Sequence, residues 1–297
     1  MKVKSKKLLA KFALLGAALI WGSSFFMMKN AIDVIAPHIL LGLRFTIGCV
    51  LLSLIFCKKL KHINRDIVKK GALAGLFLFL AYSTQTIGLT DTTPGKNAFL
   101  TAVYCVIVPF LYWVVNGTKP RRTHFAAAAL CLSGIGLVTL TQFTIRFGDA
   151  LTLVGGFFYA AHMVAIARFS KGKDPVLLTI IQFATAAVLS WIVGLNFESF
   201  PTHIGADVVR ELIYLSVFAT AGALLLQNIG QKYTHPSTAA IILSLEAVFG
   251  VLLSVIFYGE QLTLRLMCGF VLIFVAIIIS EMDFSSFRKK GQTDINS

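Results

Sequence analysis

Apolar residues come in ten long runs along the chain, separated by short polar connections. The runs are Leu9–Met28, Ile35–Phe56, Gly71–Thr90, Asn97–Val115, Thr123–Thr141, Ala150–Phe169, Val176–Leu195, Glu211–Gly230, Ser237–Tyr258 and Leu264–Glu281. Each is close to the ~20 residues a helix needs to cross a ~30 Å hydrocarbon core. Transmembrane β-strands would be about half as long and would alternate in polarity, so the pattern predicts helices. With 57% hydrophobic and 13% charged residues over 297 positions, a water-soluble domain could not hide this surface. The first run follows a basic start, as in a signal peptide, but nine more spans follow, and we read it as an uncleaved first helix.

The polar punctuation repeats as well. Shifting residues 85–117 forward by 142 brings Gln85, Gly88, Thr92, Pro94 and Gly117 onto Gln227, Gly230, Thr234, Pro236 and Gly259. Earlier in each half the shift is 138, which places Trp21 on Tyr159, Ser24 on His162, Pro37 on Pro175 and Arg44 on Gln182. The coincident Thr-x-Pro turns carry more weight than matches within apolar helices, where chance identity is common. A repeat with an odd number of spans inserts its second copy upside down. The expected fold is therefore an all-α integral membrane protein of ten transmembrane helices, built as two inverted five-helix repeats. Residues 1–145 form the first repeat and residues 146–297 the second, packed as one unit. Two inverted halves around a mid-membrane site are the usual framework of a secondary transporter working by alternating access.

Charge fixes the expected orientation. With both termini in the cytoplasm, 21 of the 27 basic residues fall on that side and 5 on the other, leaving Arg44 inside a span. That split accounts for the net charge of +14 without a nucleic-acid partner. It places the chain in the cytoplasmic (inner) membrane, multi-pass. The five cysteines (Cys49, Cys57, Cys105, Cys131 and Cys268) show no metal or redox spacing and read as small buried hydrophobes; no cofactor and no metal are expected. Pro94 and Pro236 suit the first turn of a helix, with Thr93 and Ser237 as flanking caps. Pro109 lies inside the fourth run and predicts a kink there.

Three passages carry a resemblance to the drug/metabolite transporter superfamily, in its EamA-type ten-helix branch. They are Ile20–Phe25 in the first helix, Leu245–Phe249 in the ninth, and Tyr258–Leu262 followed by Gly269 in the tenth. The family often carries proline where this chain has Ala247. The resemblance implies export of amino acids, other small metabolites or drugs, and for some members uptake of vitamins or nucleoside-like compounds. Small multidrug pumps of the superfamily use a carboxylate in helix one; this chain has none there, so that mechanism does not carry over.

Helical spacing picks out polar faces on six of the expected spans. Asn97, Thr101 and Tyr104 share a stripe, as do Trp21, Ser24 and Met28, and Tyr159 and His162 with Ile166. Tyr82 stands one turn before Gln85, and Gln85–Thr86 matches Gln227–Asn228 in the other half. Glu246 sits near mid-span on the ninth helix. Together Trp21, Ser24, Tyr82, Gln85, Asn97, Thr101, Tyr104, Tyr159, His162, Gln227, Asn228 and Glu246 are the candidate lining of a substrate cavity. Each hydroxyl among them is equally accounted for by interhelical hydrogen bonding, worth ~0.6 kcal/mol on average. A lone carboxylate at depth costs at least ~2.5 kcal/mol on insertion scales, so Glu246 is protonated, paired or functional. It is the coupling candidate, with Arg44 as its candidate intramembrane charge partner or, alternatively, as an anchor for a substrate carboxylate. Lys29 reads as an interfacial anchor, and Gly259-Glu260 as turn and cap chemistry.

The function expected is secondary transport of a small metabolite, an amino acid or related solute, in the direction of export. Proton coupling is one mode; a vitamin, nucleoside-like or drug carrier working as a facilitator is the alternative. The spans hold no aspartate pair, no Ser/His set and no His/Glu metal set, so the chain is not expected to be an enzyme. The absence of a Gly-Lys-Ser/Thr motif argues against ATP-driven pumping. The expected partners are a small-molecule substrate, the lipid bilayer and protons. A monomer suffices for this mechanism, and a homodimer stays open.

Overall fold

A computed structural model describes residues 2–141 and 144–281; the basic run Arg288–Lys290 and the rest of the C-terminal segment lie outside the described residues. The first half contains α1 (Lys2–Ile32), α2 (Pro37–Ile55), α3 (Cys57–Leu60), α4 (Arg65–Thr90), α5 (Pro94–Thr101), α6 (Tyr104–Asn116) and α7 (Arg122–Thr139). A two-residue antiparallel pairing of β1 (Leu140–Thr141) with β2 (Thr144–Ile145) follows. The second half contains α8 (Phe147–Phe169), α9 (Pro175–Phe197), α10 (Ala206–Tyr214), α11 (Ala223–Tyr233), α12 (Pro236–Leu253) and α13 (Leu264–Glu281). A π-helical segment, Leu215–Gly222, joins α10 to α11, and a second, Ser254–Tyr258, extends α12.

Among the described residues, eight helical runs are long and apolar enough to cross a membrane: Lys6–Ile32, Pro37–Ile55, Arg65–Thr90, Pro94–Asn116, Phe147–Phe169, Pro175–Phe197, Ala206–Tyr233 and Pro236–Tyr258. The remaining two expected spans correspond to α7 and α13, which pack against each other. Exposure is inverted relative to a soluble protein. Phe197 is 83% exposed and Val114 79%, whereas Asn97, His162 and Gln182 are wholly buried. Polar groups turned inward under an apolar exterior suit a chain whose solvent is hydrocarbon. This is a multi-pass integral membrane protein.

Local chemistry sets the helix boundaries. Pro37, Pro94, Pro175 and Pro236 each open a helix, where fixed φ helps and the missing N–H costs nothing. The side chains of Asn64, Thr93 and Asp174 accept from first-turn amides of α4, α5 and α9. Gly117 and Gly259 end α6 and the extended α12 in the same left-handed conformation, at φ 72° and 73°. The fourth span is broken, but not at Pro109, which α6 runs through. The interruption falls at Ala102–Val103, where Val103 N donates to Leu100 O and Cys105 N to Ala102 O. This tight turn comes before the point where the ring of Pro109 meets the preceding helical turn. The cysteine reading is corrected in part: Cys105 and Cys131 are buried, but Cys57 and Cys268 are exposed.

The helices of the two halves interleave. α1 packs on α11 and α12, α4 on α8 and α9, α2 on α9 and the first π segment, and α5 and α6 on α8. Close approach is obtained with small residues: a Cβ on Gly88 would stand 2.5 Å from Thr152 Oγ1 and 2.6 Å from Gly148 O. Contacts between connections define two ends of the bundle. At one, Lys29 Nζ donates to Leu89 O (3.0 Å) and Gly148 N to Asp91 Oδ2 (3.1 Å). There too Glu198 accepts from His38 N and Ile39 N (both 2.9 Å). At the other, Lys59 pairs with Asp174 (2.7 Å) and Lys173 with Asp66 (2.6 Å).

Candidate functional site

Between the two ends, seven spans line a cavity. Of the candidates read from the sequence, Trp21, Ser24, Tyr82, Gln85, Asn97, Tyr104, Tyr159, Gln227 and Glu246 line it, and so does Arg44. Thr101, His162 and Asn228 do not. Thr101 lies behind the wall and accepts from Gln85 Nε2 at 2.9 Å. His162 is wholly buried against α9, with Nε2 2.6 Å from Gln182 Oε1. Asn228 donates to Thr179 Oγ1 at 2.7 Å, since a residue adjacent to Gln227 on a helix faces ~100° away. Phe25, Leu89, Met163 and Leu243 complete the apolar part of the wall, and polarity gave no signal for them. Spacing could have found them: Phe25 and Leu89 lie one turn after Trp21 and Gln85, and Leu243 one turn before Glu246.

The polar wall is held in place from outside. Tyr159 donates to Gln85 Oε1 (2.7 Å) while Gln85 Nε2 is held by Thr101, which fixes the amide from both sides. Asn97 Nδ2 donates to Thr152 Oγ1 (2.8 Å) and to Gln85 O (3.2 Å). Trp21 Nε1 donates to Ala219 O (2.8 Å), a carbonyl inside the first π segment. The longer i→i+5 pattern of that segment leaves backbone groups to side chains. Tyr82 and Tyr159 meet edge to face with centroids 5.4 Å apart, and Tyr104 lies 6.3 Å from Tyr159.

An arginine and a carboxyl group face this cavity. Arg44 donates from Nε to Thr220 Oγ1 (3.1 Å) and from Nη1 to Met28 Sδ (3.1 Å), and its guanidinium lies 5.2 Å from the Tyr82 ring centroid. These neighbours are neutral, and a thioether is a weak acceptor. Glu246 is 4% exposed and is the sole acid lining the cavity among the described residues. The charge partnership with Arg44 is not formed, since no ion pair within 4.0 Å joins the two. The Tyr104 hydroxyl lies within electrostatic reach of Glu246 yet completes no hydrogen bond to protein. Thr86 Oγ1, Asn97 Oδ1 and Gln227 Oε1 are likewise buried without a partner. Unpartnered polar atoms are uncommon in a protein interior, and here four line a single space with a guanidinium that has only neutral neighbours and with a buried carboxyl group. No group of three or more metal-ligating side chains occurs among the described residues.

Two segments of the chain, residues 8–140 and 146–282, each match the model of the EamA-like transporter family. An uncharacterized transporter of Archaeoglobus fulgidus is 34% identical over 275 residues, covering 92% of this chain and 86% of the relative. The uncharacterized transporter YvbV of Bacillus subtilis is 25% identical, covering 88% of each chain. The uncharacterized inner membrane transporter YedA of Escherichia coli is 23% identical, covering 94% of this chain and 93% of the relative. A solved crystal structure shares the fold, with a TM-score of 0.68 at 19% identity, covering 92% of this chain and 96% of that one. The double family match and the Archaeoglobus relative agree with the helical, membrane-spanning architecture: this chain belongs to the EamA-like transporter family and is a membrane transporter.

Proposed function

We propose that this transporter exports a small zwitterionic metabolite, an amino acid or close relative, across the cytoplasmic membrane by alternating access. The observation that carries this reading is that Arg44 and Glu246 face one cavity without pairing with each other. Uncompensated charges away from water are costly. A solute with a carboxylate for Arg44 and an ammonium for Glu246 compensates both. The uncompleted acceptors Asn97 Oδ1 and Gln227 Oε1 suit further ammonium protons, and the tyrosine rings suit an apolar side chain.

The wider architecture in this reading is ten membrane-spanning helices in two inverted repeats, residues 1–145 and 146–297, with both termini cytoplasmic. The double family match supports the repeat. So does the helix pairing, because α4 on α8 and α9 has its counterpart in α11 on α1 and the first π segment on α2. Rocking one half against the other would then expose the same cavity to each side in turn. Glu246, neutral when protonated and anionic when not, is the group that couples a proton to solute movement. One chain is sufficient, and the role is transport rather than catalysis.

The test is flux in proteoliposomes of amino acids, nucleosides, vitamins and dyes, with and without a pH gradient. The parent is compared with Glu246→Gln and Arg44→Gln. Gradient-driven amino-acid flux that falls at least about tenfold in both variants is the expected result. Flux that ignores the gradient and survives Glu246→Gln makes the protein a facilitator. Movement of solutes lacking an ammonium group, indifferent to both substitutions, overturns the zwitterion reading.

A further inference from the structure

A second cavity lies at the Asp174 end of the bundle between α6, the start of α7 and the start of α12. Lys119, Arg121, His124 and His235 line it, and among the described residues its lining contains no acid. The backbone N–H of Arg121 donates to His124 Nδ1 at 2.9 Å, which holds that ring in place. Burial, and then the charge of Arg121, lower the pKa of His235, as expected where positive potential accumulates.

The opposite end of the bundle contains the counterpart of this cavity, and there it is filled. Glu260 is buried with its carboxylate on the start of α5, where Gly95 N donates to Oε2 at 2.9 Å and Ser254 Oγ at 2.5 Å. Thr93 Oγ1 donates to the other oxygen. The 142-residue correspondence carries Thr93, Gly95, Ser254 and Glu260 to His235, Ser237, Tyr112 and Thr118. All four of these counterparts line the second cavity. The cradle is therefore present twice, and at the second copy Thr118 stands where the carboxylate would be. Position 95 agrees: a Cβ on Gly95 would meet Glu260 Oε2 at 2.5 Å, whereas the counterpart Ser237 carries a side chain. His235 gives no side-chain cap to α12, so the first turn of that 18-residue helix presents its amides and positive dipole end at the position that corresponds to the Glu260 carboxylate.

We propose that this basic cavity binds a phosphate-type oxyanion at the position corresponding to the Glu260 carboxylate. A phosphate oxygen accepts there from Ser237 N, from the Tyr112 and Thr118 hydroxyls and from the Lys119 and Arg121 side chains. Two sources share this chemistry, the headgroup of an anionic phospholipid and free phosphate. Apolar surface on the same helices, Val114 on α6 (79% exposed) and Phe125 on α7 (56% exposed), lies close by for acyl chains. Basic pockets between membrane helices are a recurrent headgroup site.

The experiment uses the full chain in mild detergent and measures thermal stability and lipid retention in native mass spectrometry. The probes are dioleoylphosphatidylglycerol, dioleoylphosphatidylcholine and inorganic phosphate. Two variants accompany the parent: Thr118→Glu, which supplies the missing carboxylate from the chain, and the double change Lys119→Gln with Arg121→Gln. The parent is expected to bind phosphatidylglycerol about tenfold more tightly than either variant, and phosphatidylcholine no better than they do. Thr118→Glu without lipid is expected to match the stability of the lipid-loaded parent; if it does not fold, the double variant carries the comparison. Stabilisation by inorganic phosphate that the variants lose supports the same site and assigns it to a soluble oxyanion. A parent with no preference for phosphatidylglycerol or phosphate, or variants that respond as the parent does, overturns the proposal.

Discussion

The two ends of the helical bundle are held together by different kinds of contact. At the Glu260 end, the fastenings are buried. Lys96 pairs with Asp149 at 2.7 Å, with side chains 11% and 0% exposed, and Thr92 adds a 2.8 Å bond to the same carboxylate. At the Asp174 end, the ion pairs are solvated: Lys59 and Asp174 are 43% and 32% exposed. A buried pair has desolvation already invested in it, so loss of one member strands the other, while an exposed pair passes its members back to water. Removal of one member is therefore expected to cost far more at the Glu260 end than at the Asp174 end.

The largest effect comes from stranding a buried charge. Lys96→Met leaves Asp149 alone in the interior and is expected to cost about 3–5 kcal/mol, read as a fall in melting temperature in detergent. The double change with Asp149→Leu should restore much of that loss; failure to restore it would mean that Thr92 and the backbone, not the ion pair, set the cost. Next comes Glu260→Gln, which keeps the shape of the cradle but removes its charge. A loss of about 2 kcal/mol is expected, because three donors lose a charged acceptor. Gly95→Ala tests the same cradle sterically and should cost about 1 kcal/mol or more as Glu260 is displaced.

The smallest effect belongs to the solvated end. Partial burial raises the pKa of Asp174, but the Lys59 hydrogen bond and the Val176 amide outweigh it and hold it below the usual 3.8. A depressed carboxylate stabilises fully above its unfolded pKa, and that stabilisation fades as the pH falls through the folded value. Acidification below about pH 4 should therefore erode the parent slightly more than Asp174→Asn. At neutral pH the substitution should cost no more than about 1 kcal/mol and should lose its effect in high salt.

Much of the fold was legible because lipid imposes long apolar runs and because proline and threonine mark where they begin. The cavity was legible where polarity contrasts with an apolar background, which is why Gln85, Asn97, Tyr159 and Glu246 stood out. It was illegible where the lining is apolar, as at Phe25 and Met163, since nothing in an apolar helix distinguishes a cavity-facing side chain from a lipid-facing one. His162 stood out for the same reason as Glu246, but its partner Gln182 lies on the neighbouring helix and turns it to packing. The Lys96–Asp149 pair was hidden by sequence distance, since its members lie 53 residues apart. Glu260 was read as cap chemistry, and it does cap a helix; which helix, 165 residues upstream at Gly95, depends on tertiary structure.

The π segment Leu215–Gly222 also bears on how the gene can change. A π turn absorbs one extra residue within a helix without rotating the helical stretches on either side. Loss of a single codon within this stretch should let the backbone close into an ordinary α-helix. Gln227 would keep its place on the cavity wall, and the direct damage would fall on the Ala219 carbonyl that receives Trp21 and the Thr220 hydroxyl that receives Arg44. A one-residue deletion is usually among the harshest lesions for a membrane helix, yet in this segment it should be milder than many substitutions at Trp21 itself.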